Sequence, residues 1–101
     1  NGKRVLSKEA VEIMRSNQLP DAVPGIGQLY PGNGFGVDFA IVNDSAAFQC
    51  APLGTHWWWG IAGSWFWIDP VSNIGFIGMI QNSDILYSIQ VHAAARAAMY
   101  Q

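Results

Sequence analysis

The chain has 101 residues, of which 50% are hydrophobic and only 12% are charged. This balance excludes a disordered chain, which needs low hydrophobicity and high charge, and the length leaves room for one domain at most. The sequence contains five Lys and Arg against seven Asp and Glu, which gives a net charge of -2. This charge excludes a nucleic-acid binder that works by bulk positive charge. Cys50 is the only cysteine, which excludes a disulfide framework, and we expect it to be a small buried hydrophobe.

No segment of the sequence is predicted to span a membrane. The longest nearly apolar stretch, Trp57 to Ile68, is interrupted by glycines, and it is much shorter than the roughly 20 residues that a spanning helix needs. The polar lead Asn1-Gly2-Lys3-Arg4 does not resemble a signal peptide. Because no initiating Met precedes it, we expect the chain to be a piece of something longer, in a compartment that the sequence leaves open.

The first third of the chain predicts a short helix followed by a long loop. Ser7 is a candidate N-cap, Glu9 complements the helix dipole, and Pro20 ends the helical region, so we expect a helix over about residues 8–17. Residues 20–36 are rich in Pro and Gly and are predicted to be loop. Their glycines do not open a helix, so we expect no phosphate site there.

The middle of the chain predicts a sheet. Alternation of side chains predicts a strand over Gly36 to Val42, with a returning strand over Ala46 to Cys50. A second clear strand, rich in aromatic residues, is Ser64 to Ile68. A third strand, Ile74 to Gln81, is apolar on both faces, and we expect it at the centre of a sheet covered on both sides.

The last part of the chain predicts a helix over about Ile85 to Tyr100, capped by Asn82-Ser83-Asp84, with Leu86, Ile89 and Ala93 on one stripe. The order of elements predicts an α+β fold, in which three or four antiparallel strands are flanked by an N-terminal and a C-terminal helix. The excess of apolar residues indicates a face that meets another chain or another part of the same chain.

All five tryptophans lie in one short window from Trp57 to Trp67. The window allows two interpretations, a core strand entered by a Gly-rich turn or the wall of a substrate cleft. Tryptophans at alternate positions, such as Trp65 and Trp67, usually pack into a core. Three consecutive tryptophans cannot all face one way on a strand, so at least one must point away from its neighbours.

The residues from Trp58 to Pro70 read W-W-G-I-A-G-S-W-F-W-I-D-P. They resemble the last conserved box of the serine β-lactamase-like hydrolases, which include class C β-lactamases, D-Ala-D-Ala peptidases and family VIII carboxylesterases. In the esterase-like members the box reads approximately W-G-G-x-x-G-T-Y-F-W-[VI]-D-P. Three flanking segments also resemble the family, namely Gly2 to Ser7 before a helix, the strand Gly34 to Val42, and Gly78-Met79-Ile80-Gln81. The resemblance implies that residues 1–101 form the C-terminal segment of a larger β-lactamase-like α/β domain.

The resemblance also implies roles for residues of the box. Trp58, Trp59 and Gly60 stand at the Lys-Thr-Gly positions of the lactamases, which read Trp-Gly-Gly in the esterases. The backbone N–H of Ile61 then corresponds to one of the two oxyanion-hole donors, a contribution worth roughly 2.7–4 kcal/mol in the transition state. Gly60 lets the backbone approach the substrate. Trp58 replaces the Lys that binds a lactam carboxylate, which favours esters.

Trp59 departs from the family pattern, because the esterases usually have Gly there. Its indole can narrow the acyl pocket or turn outward, or it can mean that the register is off by one residue. The sequence leaves these three alternatives open.

A larger departure is the absence of the catalytic nucleophile. No serine of this chain has a lysine three residues on, and no tyrosine has an asparagine two residues on. Because a serine nucleophile needs an adjacent base, we expect this chain alone to be inactive. The resemblance implies a companion chain that carries Ser-x-x-Lys and Tyr-x-Asn, and acyl-enzyme hydrolysis of a small ester or amide without a cofactor.

Several alternatives remain. His56 either lines the mouth of the cleft or is an exposed loop histidine, and His92 is expected at the surface or an interface. Neither has partners at the spacing of metal ligands, so we expect no metal site. A different class of function is a non-catalytic binding module, in which the tryptophans stack on a sugar or flat ligand. A scaffold homologue that has lost its active residues is a further possibility.

Overall fold

The structure is a computed structural model that describes residues 2–101. It contains a sheet of five strands with an α-helix at each end of the chain, in the order α1 (Lys8–Met14), β1 (Asn33–Phe35), β2 (Ala40–Val42), a 3-10 helix (Ala46–Phe48), β3 (His56–Trp59), β4 (Trp65–Asp69), β5 (Ile74–Gly78) and α2 (Ile85–Tyr100). The strands lie side by side in chain order and every neighbouring pair is antiparallel. The predicted α+β fold is confirmed, with five strands instead of three or four.

The register of β3, β4 and β5 sorts the aromatic residues onto two faces. Trp57 pairs with Trp67, and Trp59 pairs with Trp65, so all four indoles start from one face of the sheet. Trp67 also pairs with Phe76, and the two rings stack at 4.0 Å between centroids. This face forms the core, because Trp57 and Trp67 are each only 2% exposed.

The core lies between the Trp57 face of the sheet and α2. Its buried apolar members are Tyr30, Ala40, Val42, Phe48, Ala51, Trp57, Trp65 and Trp67. The buried residues of α2 are polar, namely Ser88, His92 and Arg96. The predicted apolar stripe is therefore wrong at Leu86, which is 61% exposed, although Ile89 does pack against the core. His92 is 1% exposed, so its predicted surface position is wrong as well.

The first half of the chain differs from the prediction in its boundaries. α1 is capped by Ser7 as predicted, but it ends at Met14, since the Met14 carbonyl accepts a hydrogen bond from the N–H of Val37 at 3.0 Å. The same bond removes Val37 from the sheet, and a turn closed by Gly36 N–H and the Phe39 carbonyl joins β1 to β2. The predicted strand over residues 36–42 therefore shortens to β2, and the predicted loop over residues 20–36 includes β1.

The returning strand predicted over Ala46 to Cys50 is wrong. The Asp44 carboxylate accepts hydrogen bonds from the N–H groups of Ala46 and Ala47, which begins the 3-10 helix instead. Gln49 and Cys50 then adopt left-handed backbone angles, with φ of 47° and 60°, and carry the chain away from the sheet. Cys50 is exposed, so the expectation of a buried cysteine is also wrong.

β5 lies at an edge of the sheet, whereas the sequence predicts it at the centre. Within residues 2–101 it pairs with β4 alone, and Ile77, on the face of the sheet opposite the core, is 73% exposed. It ends at Gly78 instead of Gln81, because Asn82 turns back and donates its N–H to the Ala62 carbonyl at 2.7 Å. Neither helix in the described part of the chain combines the length and apolar character that a membrane crossing requires.

Candidate functional site

An open pocket lies at the end of the sheet where β3 leads into the following turn. It encloses about 400 Å³ and is lined by Trp58, Trp59, Gly60, Ser64, Trp65, Phe66, Ile77 and Met79. None of these residues is charged. The structure therefore brings Trp58, Trp59 and Gly60 together at one apolar pocket.

β3 has a strand on both sides in its first half and on one side only in its second half. β2 pairs with His56 and Trp57, whereas Trp58 and Trp59 pair with β4 alone. Beyond Trp57 the strand is thus an edge among the described residues. An edge presents backbone N–H and C=O groups without partners, and here it presents them beside the pocket.

The Trp58 side chain lies on the face of the sheet opposite the core. It pairs with Phe66 across the β3–β4 ladder, and Phe66 in turn pairs with Ile77. The Phe35 ring meets the Trp58 ring edge-on, with 5.1 Å between centroids and an interplanar angle of 82°. Trp58 remains 36% exposed, so this contact holds the indole in place while leaving part of it open to a ligand.

Trp59 lies on the core face, directly after Trp58. Its ring centroid is 6.5 Å from that of Tyr30, and its side-chain N–H is buried without a hydrogen-bond acceptor in residues 2–101. The indole thus starts from the face opposite Trp58 and packs toward the core. The ring also lines the pocket, so it contributes both to the core and to the pocket wall, and the three alternatives for this position stay open.

A tight turn follows β3 and carries Ile61. The Gly60 N–H donates to the Ser64 carbonyl at 2.7 Å, and the Gly63 N–H donates to the Gly60 carbonyl at 2.8 Å. Ile61 is 88% exposed, and in the described part of the chain its backbone N–H has no acceptor. Ile61 does not itself line the pocket, but its neighbour Gly60 does.

His56 lies at the other end of β3, away from the pocket. It is 9% exposed, and its Nδ1 is 3.2 Å from the Gly54 carbonyl oxygen. A separate hollow contains it, together with Val11, Arg15 and Ile68. The interpretation of His56 as an exposed loop histidine is wrong, and His56 does not line the pocket although it lies on the same face of β3 as Trp58.

The buried polar stripe of α2 was not predicted from the sequence. His92 Nε2 lies 2.9 Å from the Gly63 carbonyl oxygen in the turn, and Arg96 Nε donates to Gln49 Oε1 at 2.9 Å. The Arg96 guanidinium also lies over the Phe48 ring, 3.9 Å from its centroid. Burial lowers the pKa of Arg96 to about 10, against an opposing influence of Tyr30. A sequence signal existed, since Ser88, His92 and Arg96 recur at every fourth position of a helix.

Asp69 and Tyr100 form a second buried polar group, under the other end of β4. Burial alone would raise the pKa of Asp69, but hydrogen bonds from the backbone and side chain of Ser72 and from the backbone of Val71 hold that pKa below its ordinary value. Asp69 Oδ1 accepts from Val71 N–H at 2.8 Å, a hydrogen bond that begins the turn after β4. Burial, with the nearby Asp69 carboxylate, raises the pKa of Tyr100 to about 12.

The fold is thus α+β, with an apolar pocket at an opened strand edge. No group of three or more His, Cys, Asp or Glu side chains within residues 2–101 is placed to hold a metal ion.

No protein-family model matches the chain. The chain is similar to an uncharacterized protein, MT1414, of Mycobacterium tuberculosis strain CDC 1551 / Oshkosh, with 34% identity over 106 residues. It is similar to the same degree to Protein Rv1367c of Mycobacterium tuberculosis strain ATCC 25618 / H37Rv. The match covers 97% of this chain but only 26% of each relative. The chain therefore spans about a quarter of the length of the curated relatives that it matches.

Proposed function

We propose that this chain is the C-terminal part of a serine hydrolase of the β-lactamase-like type, acting on esters. One observation carries the proposal, namely that β3 becomes an open edge at Trp58, beside an apolar pocket and just before Ile61. An open strand edge next to a pocket is a place where backbone N–H groups can bind a carbonyl oxygen of a substrate.

In the proposed reaction the catalytic groups come from two parts of the protein. A companion segment supplies the Ser-x-x-Lys serine and its tyrosine, and the serine oxygen bonds to the ester carbonyl carbon as the alcohol leaves with a proton. Water then attacks the acyl-enzyme, releasing the acid and restoring the serine hydroxyl. The N–H of Ile61 donates to the carbonyl oxygen as negative charge develops on it.

The lining of the pocket favours a neutral substrate. Its side chains are apolar or aromatic apart from Ser64, and it contains no Lys or Arg to pair with a carboxylate. Trp58, Phe66 and Ile77 offer a flat and partly open surface to an acyl or alcohol group. The substrate class we propose is therefore an uncharged ester with an aromatic or aliphatic group, in preference to a lactam that bears a carboxylate.

The relatives leave room for the proposed companion segment. Because the match covers 26% of their length, most of each relative lies outside it. The exposed face that carries Trp58 also includes Ile68, which is 44% exposed, and Ile77, which is 73% exposed. An apolar face of this kind is suited to contact with a further segment of protein.

The test begins with a denaturing mass spectrum of the natively purified protein, followed by reaction with a fluorophosphonate probe. We expect the probe to label a serine in a Ser-x-x-Lys motif outside this chain, and we expect hydrolysis of uncharged nitrophenyl esters. Trp58→Ala should lower kcat/KM for an aromatic ester about tenfold, the loss of roughly 1.4 kcal/mol of transition-state binding. Ile68→Ala, on the same face but outside the pocket, should change it little.

Two results would contradict the proposal. One is a protein that contains no serine labelled by the probe and hydrolyses no ester. The other is equal loss of kcat/KM in Trp58→Ala and Ile68→Ala, which would mean that the pocket does not hold the substrate.

A second candidate is a non-catalytic binding module that stacks a sugar or flat ligand on Trp58. The observation in its favour is the orientation of that ring, which is held by Phe35 and remains 36% exposed on an open face. Titration with oligosaccharides and planar aromatic compounds, monitored by tryptophan fluorescence, tests it. Saturable quenching that Trp58→Ala removes, in a protein without esterase activity, would favour this candidate.

A further inference from the structure

His92 connects α2 to the turn that carries Ile61. It is 1% exposed, and its Nε2 lies 2.9 Å from the carbonyl oxygen of Gly63, which is 29 positions earlier in the chain. Nothing in the reaction proposed above uses this histidine. It nevertheless makes a short hydrogen bond to the turn, whereas the neighbouring α2 side chain of Ser88 makes only a long one of 3.5 Å, to Asn82 outside the turn.

The turn is enclosed at Gly63. Gly63 has a φ of +90°, and a Cβ built there would lie 2.9 Å from both the Asn82 carbonyl oxygen and Ser88 Oγ. The Asn82 N–H also donates to the Ala62 carbonyl at 2.7 Å. The consecutive carbonyls of Ala62 and Gly63 are thus both held from outside the turn, the first by the backbone of Asn82 and the second by His92.

The role of His92 as a hydrogen-bond donor follows from its partner. A carbonyl oxygen can only accept, so Nε2 carries the hydrogen of this bond, and Nδ1 is buried without a hydrogen-bond partner in residues 2–101. Burial lowers the pKa of His92; the Gly63 hydrogen bond opposes this, and the Arg96 charge adds to it. The ring is further fixed by the Trp65 indole, with 4.2 Å between centroids. His92 is therefore a buried donor whose ring is held in one orientation.

We propose that His92 is a positioning residue, which fixes the direction of the Ile61 N–H by holding the Gly63 carbonyl. This inference rests on the proposed function. The Gly63 N–H donates back to the Gly60 carbonyl, so a displaced Gly63 would also release the residue before Ile61. His92 does not line the pocket and acts only through the turn.

The test compares three variants of the whole protein that contains this chain. His92→Phe keeps a ring beside Trp65 but removes the donor, whereas His92→Gln places an amide N–H near the position of Nε2. Ser88→Ala is the matched control, because Ser88 is buried on the same face of α2 but makes only a long hydrogen bond of 3.5 Å, to Asn82. We measure kcat and KM for ester hydrolysis, and amide hydrogen exchange of residues 60–64.

A misplacement of about 1 Å can cost on the order of 100-fold in rate, so we expect His92→Phe to lower kcat between about 10- and 100-fold, with KM changed less than threefold. His92→Gln should recover most of the loss, and Ser88→Ala should stay within about twofold of the wild type. Amide exchange in the turn should quicken in His92→Phe alone.

Distinct results overturn the inference and the proposed function. Equal kcat in His92→Phe and His92→Gln, or unchanged turn exchange in His92→Phe, would overturn the role of His92. A wild-type protein without ester hydrolysis would overturn the proposed function, and with it the link from His92 to the reaction. The exchange measurement still decides in that case whether His92 holds the turn.

Discussion

The indole N–H of Trp57 donates to Asn33 Oδ1 at 2.8 Å, and both residues are only 2% exposed. The bond joins β3 to β1 and passes over β2, which lies between them in the sheet. Asn33 uses its other side-chain atom as well, since its Nδ2 donates to the Pro31 carbonyl at 3.0 Å. This side chain therefore fixes both a core tryptophan and the loop before β1.

Asn33→Ala is expected to destabilise the fold by about 1–3 kcal/mol, because it leaves the buried Trp57 N–H without an acceptor. Unfolding in urea, followed by tryptophan fluorescence, measures the change. The loss should be smaller when Asn33→Ala is made in a Trp57→Phe background, where no indole N–H is left unpaired. Equal losses in the two backgrounds would show that the hydrogen bond to Trp57 contributes nothing to stability.

Ile61→Pro is expected to lower kcat for ester hydrolysis by about 100- to 1,000-fold, because proline lacks the N–H that is proposed to bind the oxyanion. Ile61→Ala is the matched control. It keeps the N–H and removes only a side chain that is 88% exposed, so its kcat should stay near that of the wild type. Steady-state kinetics on a nitrophenyl ester, with a thermal unfolding curve for each variant, separates lost catalysis from lost folding. A similar decrease in both variants would argue against the backbone donor.

Gly63→Ala should be much more destabilising than Gly54→Ala. Both glycines have a positive φ, +90° at Gly63 and +81° at Gly54. Backbone strain should therefore destabilise an alanine variant by a similar amount, about 1–2 kcal/mol, at each position. Only at Gly63 would the new Cβ meet other atoms, and overpacking of this kind adds about 1–3 kcal/mol. Urea unfolding of the two variants gives the comparison. Equal midpoints would mean that the turn relaxes freely around residue 63.

The free energy of unfolding should rise with pH, because protonation of His92 at low pH disfavours the folded state. Burial lowers the folded-state pKa of His92 below 6.5, the value of an unperturbed histidine. The unfolded chain therefore binds a proton at His92 more readily than the folded chain does. The resulting loss of stability is absent above about pH 6.5 and develops as the pH falls from there through the folded-state pKa. His92→Gln removes the titration. The free energy of unfolding, measured from about pH 5 to about pH 8, should rise less in that variant, and parallel curves would contradict the prediction.

The parts of the fold that were predicted well depend on local signals. α2 has the predicted bounds, because the Asp84 carboxylate caps its first turn and alanines fill its second half. β4 begins one residue later than predicted and ends one residue later, at Asp69, where the carboxylate starts a turn. In each case the residues that decide the element lie within it or next to it.

The features that were missed depend on contacts between distant parts of the chain. Nothing near Val37 in the sequence indicates that its N–H caps α1, and nothing near His92 indicates that its partner is the Gly63 carbonyl. Periodicity also cannot distinguish a central strand from an apolar edge strand, which is why β5 was misplaced. At the candidate site the sequence indicated Trp58 and Gly60, but it could not indicate that His56, two residues before Trp58, lines a separate hollow.

The polar side of α2 has a consequence for the order in which the chain folds. His92 meets a group 29 positions away and Arg96 meets one 47 positions away, so these bonds close long loops whose entropy must be lost before any contact is made. The Gly63 carbonyl and the Gln49 side chain are in position only after the β3–β4 hairpin and the segment around Gln49 have formed. Because His92 and Arg96 lie on one side of α2, both can reach their partners in only one rotation of the helix about its axis. We therefore expect α2 to dock late and in a single register, completing a sheet that has already assembled.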